Sequence, residues 1–136
     1  MKEIKKFDLR DELMTLSIQL FDANKEEDIE AVLQLMGKKG DEEEKKNLPN
    51  VGGITLSRTP DGFILLNQKH SEVLENTIVH EFFHWILIYA KYLGIDLYAG
   101  QETLARKLSY WVTETTAALR QSFTDQSGNA TPTEAS

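Results

Sequence analysis

His80-Glu81-Phe82-Phe83-His84 sets two imidazoles four residues apart, with a carboxylate directly after the first. On a helix, residues i and i+4 lie one turn apart on the same face, with β-carbons about 5–6 Å apart. Two imidazoles so placed can converge on one cation at Zn–N distances of about 2.0–2.1 Å. Glu81 lies about 100° further round the helix than His80. It therefore approaches a zinc-bound water from the side and does not compete as a ligand. Zinc lowers the pKa of such a water to about 7, and a carboxylate can then accept its proton. The chemistry expected is metal-assisted hydrolysis, with His80 and His84 as zinc ligands and Glu81 as general base. The neighbours Ile78, Val79, Phe82, Phe83, Trp85 and Ile86 are uncharged and bulky. They place the helix in the core and predict that the histidines are buried with it, where they need a partner to offset desolvation.

A zinc site of this kind needs a third protein ligand. No histidine follows His84, so the candidates are downstream carboxylates or His70. Asp96 falls in the loop just after the helix, too close to fold back, and Asp125 falls near the end of the chain. Glu102 and Glu114 lie on the next helix. On a wheel at 100° per residue they stand about 130° and about 110° from its apolar stripe, so the wheel does not choose between them. His70, just before the helix, could instead polarise a carbonyl. Tyr98 and Tyr110 could donate to a tetrahedral intermediate. Phe82, Phe83 and Trp85 read as core residues.

These residues must be positioned by the elements around them. The helix that carries the motif is predicted over residues 71–93, with Ser71 as cap, Glu72 and Glu75 in its first turns and Gly94 as its stop. Before it, Ile54-Thr55-Leu56-Ser57, the turn Thr59-Pro60-Asp61-Gly62, and Phe63-Ile64-Leu65-Leu66 form a hairpin. After it, a helix over residues 101–121 buries Leu104, Leu108, Trp111, Thr115 and Leu119. Upstream, residues 13–21 fit two periods: Met14, Leu16, Ile18 and Leu20 alternate as in a half-buried strand, the preferred reading, while Leu9, Leu13, Leu16 and Leu20 also share one helix face. Asn24 caps a helix bearing Ile29, Val32, Leu33 and Met36, which Gly37 ends. Residues 1–12 are mixed in charge, with Ile4, Phe7 and Leu9 as anchors. The charge run of residues 37–50 reads as an exposed loop with room for a frayed helical turn. Residues 1–123 form one domain, and 124–136 read as a disordered tail.

The 136 residues suit a single core. Hydrophobic residues are 40% and charged residues 27%, the balance of a globular chain. The net charge of −7 argues against nucleic-acid binding. Cysteine is absent, which excludes disulfides, thiolate ligands and a cysteine nucleophile. The charged start leads one to expect no secretory signal, and the apolar stretch 78–93 is too short and too polar to span a bilayer. The expectation is a cytoplasmic protein without a membrane partner, its oligomeric state open.

The segment resembles the zincin-type metallopeptidases with a glutamate third ligand, the gluzincin pattern. It is similar above all to the compact phage and prophage metallopeptidase-like proteins of the ImmA/IrrE type. The matching stretches are Gly53-Ile54-Thr55-Leu56, Ile64-Leu65-Leu66, Ile78 to Ile86, and Glu102-Thr103-Leu104-Ala105-Arg106-Lys107-Leu108, within a span from residue 53 to residue 108 of the 136. The Glu-Ala-Asn-like run of ImmA-type enzymes is absent after Glu102. The resemblance implies an α+β zincin-like fold, with a small antiparallel sheet on a long active-site helix and a C-terminal helix alongside. It implies Zn2+ on His80, His84 and Glu102, with Glu81 catalytic. The expected function is hydrolysis of a peptide bond in a peptide or protein substrate lying along the sheet edge. The alternative is a phage-related binding or regulatory module with a structural zinc and no turnover.

Overall fold

In the computed structural model, residues 1–9, 13–58 and 60–129 are described, with side chains omitted at 71–73 and 126–129. The elements in order are β1 (Lys2–Leu9), β2 (Met14–Phe21), α1 (Glu26–Met36), α2 (Glu42–Asn47), β3 (Gly53–Arg58), β4 (Asp61–Asn67), α3 (Leu74–Leu93) and α4 (Gln101–Asn129). This is an α+β arrangement. The strands make one sheet in the order β1-β2-β4-β3. β1/β2 and β3/β4 pair antiparallel, but the central pair β2/β4 is parallel. The sheet is thus mixed and not antiparallel as expected. The cause is the long crossover through α1 and α2, the kind of connection that parallel neighbours require.

Alternation along the two central strands divides the interior. Leu16, Ile18 and Leu20 of β2, with Ile64 and Leu66 of β4, join the core under α3 and α4. Phe21 and Leu65 turn to the other face and pack with Ile29, Val32 and Leu33 of α1 and with Leu48. Such two-sided burial is the pattern of a sheet covered on both faces. Under α3 and α4 the core is aromatic, with Trp111 6.2 Å from Phe82, 6.3 Å from Trp85 and 5.1 Å from Tyr89 between ring centroids. Gly62 lets β4 approach this cluster, because a Cβ there would collide with the Trp85 ring.

The hairpin falls where the sequence placed it, although Asp61 and Gly62 already belong to β4, and Thr59 lies outside the described residues. The first segment is a strand, which its sequence hides. Ile4 and Phe7, an odd number apart, would face opposite sides of a regular strand. A register shift between Glu3 and Lys5 brings Ile4, Phe7 and Leu9 onto the same core.

Lys25, not Asn24, occupies the cap position of α1, without a side-chain hydrogen bond. The charged run expected as a loop contains α2. Asp41 caps it by accepting from the Glu44 N–H at 3.1 Å, and ion pairs Lys38–Glu44 and Lys45–Glu26 brace it. Ser71 and Glu72, expected to open the motif helix, have side chains outside the described set, and α3 itself begins at Leu74. The last helix continues past Thr124, where the tail was expected to begin, to Asn129. Residues 130–136 lie outside the described ones. Among the described residues, no helix is long and apolar enough to cross a membrane.

Candidate metal centre

α3 buries one face and exposes the other. Ile78, Phe82, Trp85 and Tyr89 are buried, whereas Val79, Phe83 and Leu87 are exposed. His80 and His84 fall on the exposed face. This corrects the expectation of buried histidines, and Phe83 is likewise not a core residue. The apolar positions of the motif lie on both sides of the helix, and only one side meets the sheet.

The imidazoles face each other. His80 Nε2 and His84 Nε2 are 3.3 Å apart, and the ring centroids are 4.9 Å apart at an interplanar angle of 76°. Two nitrogens each about 2.0–2.1 Å from a tetrahedral zinc stand about 3.3 Å from one another. The pair therefore fits two corners of such an ion. Without a metal, the same separation allows one ring N–H to donate to the other ring nitrogen.

Glu81 is held differently. It is buried, and its Oε2 lies 3.9 Å from His80 Nε2. The Thr55 hydroxyl of β3 stands 2.7 Å from Glu81 Oε1 and 3.0 Å from the Glu81 carbonyl oxygen. That single proton can serve either acceptor and so fixes the carboxylate against the strand. Gly53 makes the approach possible. A Cβ there would lie 2.9 Å from Glu81 Cγ and 2.7 Å from Thr77 Cγ2. Between β3 and α3 runs an open groove of about 530 Å³, lined by Gly53, Ile54 and Thr55 on one side and by His80, Glu81, His84, Leu87 and Ile88 on the other. β3 is an edge strand, so its outer hydrogen-bonding groups are not paired within the sheet.

The expected third ligands lie elsewhere. Glu102 is 77% exposed at the start of α4, where it accepts from Arg106 Nε at 3.0 Å. α4 docks through Leu104 and Trp111 onto the buried face of α3, opposite the histidines, which keeps Glu102 from their side. Glu114 pairs with Lys5 at 3.6 Å. His70 Nε2 lies 3.0 Å from the Pro49 carbonyl oxygen, so its ring is engaged with the segment before β3. Among the described residues, no three His, Cys, Asp or Glu side chains come together as a metal-holding group. Tyr98 and Tyr110 are exposed and do not line the groove.

Two supporting residues carry little signal of their own in the sequence. Thr55 reads only as a position in an alternating strand, because nothing local announces which helix carboxylate it will meet. Asn67, fully buried, donates from Nδ2 to the Val51 carbonyl at 2.9 Å and the Pro49 carbonyl at 3.2 Å. It thereby ties the entry of β3 to the end of β4. An asparagine that closes an apolar run is the only hint of that role. No protein-family model, curated protein or solved structure matches the chain.

Proposed function

We propose that this protein is a zinc-dependent peptide hydrolase whose metal is held by His80 and His84 and whose general base is Glu81. The observation that carries the reading is the facing imidazole pair at tetrahedral spacing beside a buried, oriented carboxylate. Zinc at that pair would supply Lewis acidity toward a carbonyl and an acidified water. The remaining roles belong to the chain. Thr55 holds one carboxylate oxygen of Glu81, so the other oxygen is left to take a proton from water and return it to the leaving amine. β3 offers its free edge to an extended peptide, whose backbone can pair along the groove. Gly53 and Asn67 keep that strand at the distance the carboxylate needs.

The resemblance to the gluzincin pattern supports this reading through His80, Glu81 and His84 only. Glu102 has no part in it, since its side chain is turned to Arg106. The test is cleavage of a peptide library by zinc-loaded wild type and Glu81→Gln. Gln keeps the shape but cannot take the proton, so cleavage should fall by about 10²–10⁴-fold with zinc content unchanged. Equal cleavage by both proteins would remove Glu81 from the mechanism. Zinc bound by both, with no cleavage by either, would favour a binding or regulatory module.

A further inference from the structure

A second groove, of about 420 Å³, runs between β1 and α4 and shares no residue with the first. Its lining includes five consecutive strand residues, Lys5 to Leu9, and Arg106, Lys107, Tyr110 and Trp111 of α4. Alternate side chains of a strand point to opposite faces, so an unbroken run of lining residues means that the strand's edge itself borders the groove. β1 is the outer strand of the sheet and pairs only with β2. Four cationic residues, Lys5, Lys6, Arg106 and Lys107, gather here in a chain whose net charge is −7. The Lys107 ammonium lies 5.8 Å from the Tyr89 ring centroid and 6.0 Å from that of Trp111. Lys5 and Arg106 hold Glu114 and Glu102 in solvent-exposed ion pairs, which exchange readily for another carboxylate.

We propose that this groove binds an extended acidic segment of a partner protein, added as a further strand at the free edge of β1. Backbone N–H and C=O groups of such a segment complement the strand edge, and its alternate side chains point toward α4, where Arg106 and Lys107 stand. Asp8 lines the groove beside these cations, and Glu114 and Glu102 pair with Lys5 and Arg106, so the local excess of positive charge is small and suits spaced single carboxylates better than a dense run of phosphates. Carboxylates spaced by uncharged residues match a groove with cations on both walls, Lys5 and Lys6 on β1 and Arg106 and Lys107 on α4.

The test is fluorescence anisotropy with the full chain and a labelled octapeptide alternating Glu with Val, against the same peptide with Lys for Glu. The Glu peptide should bind saturably and the Lys peptide should not. Arg106→Glu, at a side chain 79% exposed, should weaken binding at least about fivefold while the circular dichroism spectrum is kept. Lys6→Glu should act in the same direction. Raising salt from about 50 to about 300 mM should also weaken it. Methylating the alternate peptide nitrogens that face β1 should abolish it, which separates strand addition from simple charge attraction. Equal binding of the Lys peptide, unchanged binding by Arg106→Glu, or full binding of the methylated peptide would each overturn the proposal. So would tighter binding of a short single-stranded oligonucleotide.

Discussion

Thr55 carries more of the candidate centre than its single hydroxyl suggests. Its hydroxyl donates to the buried Glu81 carboxylate, and it does so from a different element. Thr55→Val keeps the shape and removes the proton. A buried carboxylate left without its donor costs about 1–3 kcal/mol, so the unfolding free energy from urea melts should drop by that amount, with His80 and His84 still able to bind zinc. Gly53→Ala acts on the same contact from the other side. Its new methyl would press on Glu81 Cγ and Thr77 Cγ2, and the expected destabilisation is about 1–3 kcal/mol with a larger loss of cleavage than Thr55→Val. His80, Glu81 and His84 were legible in the sequence because their spacing is a property of one helix. The exposure of the pair was not. Val79, Phe83 and Leu87 resemble core residues in type, and only the docking of α3 on the sheet decides which side of the helix is covered.

At the scale of elements, the sequence revealed what is local and concealed what depends on pairing. α1, the hairpin and the two long helices each repeat a period or carry a turn that can be read in place, whereas β2 fits a strand and a helix period at once and its pairing decides between them. β1 breaks its period at a bulge, and α2 looks like a solvated charge run until Asp41 is seen to cap it. The parallel partnership of β2 and β4 also has no local mark, since it follows from where the α1–α2 crossover lands. The separation of Glu102 from the histidines has the same origin. A wheel places it relative to its own helix, whereas the docking of α4 decides which side of α3 it meets. Asn67 is the junction most sensitive to substitution. Asn67→Ala removes its bonds to the Val51 and Pro49 carbonyls and should cost about 1–3 kcal/mol, measured by thermal or urea unfolding. Because Asn67 sits at the root of β3, cleavage should decline with it.

At the scale of the whole molecule, the contacts that join distant parts of the chain include the packing of α3 and α4 through Trp85, Tyr89 and Trp111, which forms without the histidines. Chelation of zinc should therefore stop hydrolysis while leaving the far-ultraviolet circular dichroism unchanged. They also include those of Asp28, buried on α1, which meets the Met1 ammonium at 2.6 Å and accepts from the Asp22 N–H at 2.8 Å. Burial raises the Asp28 pKa, but these hydrogen bonds and the nearby positive charges outweigh it and hold the carboxyl below its ordinary value of 3.8. A carboxyl depressed by folding contributes stability that is complete above the ordinary value and is lost as pH falls through the lower folded one. Wild type should thus lose stability on acidification through that range, and Asp28→Asn should show a shallower acid slope in pH-dependent denaturant melts. The measurement closest to the central claim is the zinc content of protein purified without chelator from zinc-supplemented medium, compared with that of His80→Ala. Wild type should hold one zinc per chain and the variant essentially none. A folded wild type free of zinc, or equal zinc in both proteins, would contradict the account.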